Sequence, residues 1–255
     1  VTSVRLVSDK KIIDPYERIY STKNFNDNLW LHGGSNNLGG GIIEWTKQLF
    51  YDNNSLAYSE IQKMIDSTPV CPGGLIFLPY LLGDRTPFWN AECRGVFFGL
   101  NRSHGRKDLI KAIAEGIGFS INMIFKVFNE LKLPVNSLTV AGGLSRIDGI
   151  NQIKSDMLNI EIRKYKNFET TAIGAALIAL VGVGEFDNLE DAFNAFCSIE
   201  KIYHPNHHSH VIYKQFSDLY FKVYNDLIES YSYRAKIMKK IKEKNINETV
   251  LIENL

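Results

Sequence analysis

The sequence predicts an α/β fold with a mixed sheet flanked by helices, and the clearest signal lies in residues 138–180. Residues 138–141 form a short apolar run that favours a buried strand. A helix is expected to follow, because Ser145 and Asp148 have capping-box spacing and apolar residues then recur at helical intervals. Residues 160–162 predict a second strand, and residues 170–180 predict a second helix dense in small residues. Strands that alternate with helices in this way indicate a sheet covered by helices.

The other elements follow from apolar periodicity and from glycine and proline breaks. We expect two strands and a turn within residues 1–13, a strand over 29–32, a glycine-rich loop at 33–37 and a helix over 42–50. Further helices are predicted over 55–65, over 108–131 and from about 211, with a buried strand within 74–79. Residues 1–232 should form one domain, and the lysine-rich residues 233–255 a basic helical tail that frays at its end.

Charge and composition argue against several classes of protein. A formal net charge of +1 argues against a nucleic-acid-binding protein. No apolar run approaches the roughly 18 residues that a membrane span requires. Three widely spaced cysteines fit a reducing compartment, so we expect a cytoplasmic location and no disulfide framework. The chain begins with Val1 rather than Met, which indicates a piece of a longer protein.

Two glycine-rich segments that precede helices are candidate nucleotide sites. Gly142 and Gly143 separate the predicted strand from Ser145, and residues 39–41 lead into the helix at 42–50. Glycine lets a ligand approach the backbone without a Cβ in the way, and a helix N-terminus offers free N–H groups. The alternative for each segment is an ordinary turn or loop that holds no ligand, since short glycine motifs are weak signals.

A cluster of histidines, His204, His207, His208 and His210, is the candidate metal site. No carboxylate or cysteine stands at regular ligand spacing beside these histidines, and the segment shows neither strand nor helix periodicity. We therefore expect a solvated loop here and no metal site in the chain.

Several stretches in the same order carry a family resemblance. Residues 77–90 read Phe-Leu-Pro-Tyr-Leu-Leu-Gly-Asp-Arg-Thr-Pro-Phe-Trp-Asn, and residues 94–100 read Arg-Gly-Val-Phe-Phe-Gly-Leu. Residues 108–116, Gly142-Gly143 and the Thr-Ala-Ile-Gly-Ala-Ala of residues 171–176 follow. From about Val4 to Leu227 the chain resembles the C-terminal half of the FGGY family of carbohydrate kinases, within the actin, Hsp70 and hexokinase superfamily. The resemblance implies an actin-like ATPase domain, ribonuclease H-like in its sheet, as one half of a two-domain sugar kinase.

The resemblance also implies which residues meet a nucleotide. ATP with Mg²⁺ would be the cofactor, and residues 171–176 would form the second connecting helix of the family. The implied adenosine pocket contains Gly142, Gly143 and Ser145, while Gly40 and Glu44 would lie near the nucleotide at the start of the helix at 42–50. Asp84 and Arg85 would face the cleft between the two domains.

The catalytic base is expected outside this chain. Members of the family carry the general-base aspartate and most of the sugar site on an N-terminal domain, which this sequence does not contain, so no catalytic residue is expected here. The first hypothesis is the ATP-binding half of a kinase for a sugar or sugar-acid hydroxyl, gluconate first and xylulose second, with the N-terminal domain as partner. The alternative is a non-catalytic nucleotide-binding or interaction module of the same fold. A homodimer is a further candidate assembly.

Overall fold

A computed structural model of the protein describes residues 2–24, 28–37, 39–50 and 57–253, with side chains up to residue 243. Strands and helices alternate along these residues. The strands are β1 (Thr2–Ser8), β2 (Tyr20–Lys23), β3 (Trp30–Asn36), β4 (Ile76–Leu78), β5 (Val96–Phe98), β6 (Ser137–Val140), β7 (Glu161–Tyr165) and β8 (Ile199–Tyr203). The helices are α1 (Gly40–Phe50), α2 (Tyr58–Ser67), α3 (Arg106–Glu130), α4 (Asp148–Leu158), α5 (Thr170–Gly182), α6 (Leu189–Phe196), α7 (His207–Asp226) and α8 (Ile228–Glu253).

The strands form three small sheets with both strand directions. β1, β3 and β2 pair antiparallel in that order, with Val4 opposite Gly34. β4 and β5 form an antiparallel pair. In the third sheet β7 lies between β6, to which it runs parallel, and β8, to which it runs antiparallel. The expected mixed arrangement of sheet and helices is therefore confirmed.

The helix α3 forms the centre of the core. Its side chains are buried along most of its length, and α2, α4, α7 and β4 all pack against it. A Cβ on Gly116 would lie 2.5 Å from the backbone oxygen of Phe77 in β4. Gly116 therefore permits a helix-to-strand approach that any side chain would prevent.

A buried carboxylate fixes α3 to two other segments. Glu115 Oε1 accepts hydrogen bonds from the Cys71 backbone N–H at 3.0 Å and from the Tyr213 hydroxyl at 2.9 Å. Lys111 Nζ lies 3.8 Å from the same oxygen. Burial raises the pKa of Glu115 to about 7, although Lys111 and both hydrogen bonds oppose that shift. The group ties the segment before β4, α3 and α7 together.

Several predicted bounds are wrong near the N-terminus. Residues 11–13 form no strand, and the second strand is β2. Residues 33–36, predicted as a loop, belong to β3 because Gly33 lets the strands approach closely: a Cβ there would lie 2.0 Å from Val4 O. The helix predicted from residue 55 begins at Tyr58, and residues 55 and 56 lie outside the described residues.

The helix starts in the C-terminal half also differ from the prediction. The Ser145–Asp148 capping box does not form, because Ser145 Oγ donates to Gly142 O at 2.7 Å and α4 begins only at Asp148. Helix α7 begins at His207 rather than near residue 211, because the Asn206 side chain caps it by accepting from Ser209 N at 3.0 Å. Strand β8 was not predicted.

The chain ends in the long helix α8. The Tyr231 hydroxyl donates to Arg94 O at 3.1 Å and Ser232 Oγ to Glu92 Oε2 at 2.7 Å, so the start of α8 is attached to the core. From Tyr233 to residue 243 most side chains are exposed. A domain boundary near residue 232 stays a prediction. Among the described helices, none is both long and apolar enough to cross a bilayer.

We predict that Gly116→Ala destabilises the protein by about 1–3 kcal/mol, since the new methyl group overlaps the fixed backbone of Phe77. Gly118→Ala on the same helix is the matched control. Its methyl group would meet only the side-chain ends of Met157 and Ile153, at 3.0 and 3.1 Å, so stability should change by less than about 1 kcal/mol. Urea unfolding of both variants measures the difference, and equal stability would show that the Gly116 contact is not restrictive.

Candidate functional site

A cavity of about 480 Å³ lies where β1, the start of α1 and the turn after β6 come together. Its wall includes Gly142 and Gly143 and also Gly40, which is distant from them in sequence. Three of the predicted nucleotide residues thus share one cavity. The polar side chains on the wall come from Thr2, Ser3, Arg5, Thr139, Lys154 and Thr170.

In the turn after β6, glycine backbone without side chains faces this cavity. Gly142 has φ of 78°, a conformation that favours glycine, and its N–H donates to Phe168 O at 3.0 Å. Gly143 begins a 3-10 turn that ends at Arg146. A Cβ built on Gly142, Gly143 or Gly40 would meet no atom within 4 Å. The backbone at all three glycines is therefore open to a ligand.

Ser145 supports the turn and does not line the cavity. The residue is buried, its hydroxyl donates to Gly142 O, and its backbone oxygen accepts from Asn151 Nδ2 at 2.8 Å. These bonds join the glycine turn to α4. The structure therefore gives Ser145 a positioning role beside the predicted pocket.

Glu44 also lies off the cavity wall, but a chain of contacts links it to the glycine turn. The Tyr58 hydroxyl donates to Glu44 Oε1 at 2.7 Å, and Lys47 Nζ lies 3.2 Å from Oε2. The hydrogen bond from Tyr58, followed by that from Lys47, holds the pKa of Glu44 below its usual value. The Arg146 guanidinium lies over the rings of Tyr58 and Phe168, 5.6 and 5.3 Å from their centroids. Sequence reasoning missed Tyr58 and Arg146.

The predicted cleft residues Asp84 and Arg85 lie in different surroundings. Asp84 is 4% exposed, and neither of its carboxylate oxygens has a well-formed hydrogen bond to a described residue. Burial raises its pKa to about 7, and nearby backbone N–H groups of Arg85 and Phe88 offset this only in part. Arg85 is exposed, with its guanidinium 5.9 Å from the Trp89 ring centroid. Only Arg85 is therefore accessible to another domain.

The charge on the cavity wall is entirely positive. Arg5 is held there by hydrogen bonds to Gly34 O at 2.7 Å and to the Tyr20 hydroxyl. Lys154 is the other cation, and burial lowers its pKa to about 8. No Asp or Glu of the described residues lines the cavity. The wall suits an anionic ligand, and it offers a divalent cation no carboxylate.

The histidine segment does not bring its imidazoles to one point. His207, His208 and His210 lie in the first turn of α7 and not in a loop. His210 Nδ1 contacts Asp156 O at 3.0 Å, while His204 lies 3.8 Å from Glu161 Oε2. The described residues contain no group of three or more His, Cys, Asp or Glu side chains arranged to hold a metal. The prediction of no metal site stays a prediction.

The helix α5 leaves an apolar surface uncovered. Its sequence, TTAIGAALIALVG, carries no charged residue, yet only Leu177 is buried, and Ile178 is 56% exposed. Among the described elements α5 packs chiefly against α6. Within the part of the chain that the structure describes, the small residues of α5 are therefore mostly not packed against another element. An uncharged helix exposed on most sides indicates a surface that another part of a protein covers.

The comparison with protein families identifies the chain. Residues 4–183 match the family model described as the FGGY family of carbohydrate kinases, C-terminal domain. A xylulose kinase of Staphylococcus epidermidis is 33% identical over 185 residues, which cover 72% of this chain and 37% of that protein. A gluconokinase of Bacillus licheniformis is 26% identical over 251 residues, 95% of this chain and 48% of that protein. The chain therefore belongs to the FGGY family of carbohydrate kinases.

Solved structures support the same fold. A ligand-bound xylulose kinase from Lactobacillus acidophilus superposes with a TM-score of 0.80 at 28% identity, covering 90% of this chain and 46% of that one. A gluconate kinase from the same species gives a TM-score of 0.79 with the same identity and coverage. The expected actin-like ATPase fold is thus confirmed. The chain spans less than half the length of these relatives.

We predict that Asp84→Asn stabilises the protein at high pH and not at low pH. The pKa of Asp84 is raised in the folded state from 3.8 to about 7, so the wild type loses stability as pH rises across that interval. The free energy of unfolding of Asp84→Asn relative to wild type should rise by about 2–4 kcal/mol from pH 4 to pH 8.

Asp148→Asn is the control for Asp84→Asn, with the opposite sign. Although burial opposes it, hydrogen bonds from Lys201 and Tyr203, at 2.8 and 2.6 Å, hold the pKa of Asp148 below its usual value. Its loss should therefore destabilise the protein at pH 8. Denaturant unfolding across pH measures both variants, and a pH-independent effect of Asp84→Asn would contradict the raised pKa.

Proposed function

We propose that this chain is the ATP-binding half of a carbohydrate kinase, which transfers the terminal phosphoryl group of ATP to a hydroxyl of a sugar or sugar acid. The observation that carries this proposal is the cavity that brings Gly40, Gly142 and Gly143 together with a cationic wall. Family membership supports the reaction class. Gluconate and xylulose remain the first and second candidate substrates, and relatives named for both reactions match the chain.

The residues present fit a nucleotide. Gly142 and Gly143 would lie against the adenosine, since no side chain fills the space beside them. Gly40 begins α1, whose free N–H groups and positive dipole end favour an anionic group. Ser145 and the pair Glu44–Tyr58 would hold these segments in place from behind.

The described cavity wall fits Mg²⁺ less well than it fits a nucleotide. The described cavity wall has no carboxylate, and hard cations prefer oxygen ligands such as carboxylates and phosphates. We infer that Mg²⁺ would enter with the nucleotide and take its protein ligands from outside this chain. When bound, the ion would neutralise charge on the transferred phosphoryl group.

The proposed enzyme needs a second half. A sugar hydroxyl requires a general base within hydrogen-bond reach, and the described wall offers none. An N-terminal domain would supply that base, cover the uncharged helix α5 and exclude water from the cleft, where the exposed Arg85 could meet it. We place the protein in the cytoplasm. A homodimer formed through the same helix is the competing occupant of α5.

A non-catalytic nucleotide-binding module of the same fold is the second candidate function. It is favoured by the one observation that the described cavity wall holds cations and no base. The two functions share the nucleotide site and differ in whether a partner half restores phosphoryl transfer.

We predict that Gly143→Val strongly weakens nucleotide binding without unfolding the protein. The backbone at Gly143 is not in the left-handed region and its Cβ would enter open space, so the isopropyl group should block the cavity at little cost in stability. Isothermal titration with ADP should show at least about tenfold weaker binding.

Gly142→Val provides the contrast to Gly143→Val. Because Gly142 has φ of 78°, a valine there should destabilise the fold by about 1–3 kcal/mol as well as block the site. If a folded Gly143→Val variant bound ADP as tightly as wild type, the nucleotide would not sit at this turn.

We also predict that the chain alone shows no sugar-kinase turnover. Loss of a general base typically costs about 10²–10⁴-fold in rate, and the loss of the opposing half removes orientation as well. The measurement is a coupled ADP-release assay with gluconate, xylulose, ribulose and glycerol offered separately. Turnover above the no-sugar rate that Gly143→Val abolishes would mean that a complete active site exists in this chain.

A further inference from the structure

Among the described side chains two lysines are buried, and their surroundings differ. Lys111 on α3 is 7% exposed, and its ammonium group donates to Ile65 O at 3.3 Å and lies 3.8 Å from Glu115 Oε1. Lys154 on α4 is 5% exposed, but no described residue accepts a hydrogen bond from it or forms an ion pair with it. A buried cation without a partner is costly, so its retention needs a reason.

The position of Lys154 supplies that reason. Its neighbours on the same helix face, Ile150 and Met157, are buried in the apolar core and offer the ammonium group nothing. Lys154 lines the cavity that Gly142 and Gly143 also line. The other charged side chain on that wall, Arg5, is a cation already bonded to Gly34 O and the Tyr20 hydroxyl. Lys154 is therefore a free donor directed at the space left for a ligand.

We propose that Lys154 binds a phosphoryl group of the nucleotide in this cavity, an inference that rests on the proposed function and adds a charge-recognising residue to it. The anion would accept a hydrogen bond from the buried ammonium group, which no described residue does. A charge-assisted hydrogen bond is stronger than a neutral one. Lys154 would thus make the site prefer nucleotides that carry phosphate over the bare nucleoside.

This role has a consequence that a packing role does not have. Without ligand, Lys154 destabilises the fold, so Lys154→Met should raise the melting temperature by roughly 2–6 °C. The same substitution should weaken the binding of phosphorylated ligands. A lysine retained only for its aliphatic stem would give the rise in melting temperature but not the loss of binding.

The test uses isothermal titration of wild type, Lys154→Met, Lys154→Gln and Lys111→Met with adenosine, ADP and inorganic tripolyphosphate. Both Lys154 variants should bind ADP about 10–100-fold more weakly than wild type and adenosine within about twofold. Lys111→Met is the matched control. It removes the partner of buried Glu115, so it should lower the melting temperature and leave the ratio of ADP to adenosine affinity unchanged.

The three ligands distinguish failure of the proposed role of Lys154 from failure of the proposed nucleotide site. If ADP and adenosine lose affinity equally in the Lys154 variants, or if neither loses any, Lys154 does not bind phosphate and the nucleotide site stands. If wild type binds tripolyphosphate but not adenosine, and Lys154→Met abolishes that binding, the lysine binds phosphate and the nucleotide assignment fails. If wild type binds none of the three ligands, both proposals fail.

Discussion

The close approach of α3 to β4 at Gly116 is the constraint on which the rest of the structure depends. With no side chain at this position, the helix can lie against the backbone of Phe77, and Glu115 beside it can bond to the segment before β4 and to α7. Two residues further along α3, Gly118 lies against Met157 and Ile153 of α4. Helix α4 in turn holds the glycine turn through Asn151 and Ser145. The candidate site is therefore positioned by the core rather than by its own loop.

The buried charged side chains of this protein differ in whether a side chain of opposite charge lies beside them. Lys111 lies beside Glu115, and Asp148 is matched by Lys164 and Lys201. Asp84 and Lys154 have no such partners. Asp84 lies away from the glycine cavity, and protonation relieves the cost of its burial. Lys154 lines the cavity, where a bound anion can relieve the cost of burying its charge. Lys154 is thus the residue that most directly links the fold to the proposed ligand.

The exposed surface of α5 adjoins the glycine cavity, since Thr170 at the start of this helix lines the cavity. A helix without a charged residue is normally buried on all sides, yet most of this one is exposed. The chain spans less than half the length of its relatives. In the proposed enzyme, a second half would cover α5.

The sequence by itself determined the α/β class, the family and the glycine turn, because apolar periodicity and ordered motifs are local signals. It did not determine that Ser145 would bond to Gly142 rather than cap α4, or that Asn206 would start α7 at His207. It gave no sign that Asp84 would be buried, nor that Lys154 would reach the cavity. Only the tertiary structure decided these points, since burial and hydrogen-bond partners depend on segments that are distant along the chain.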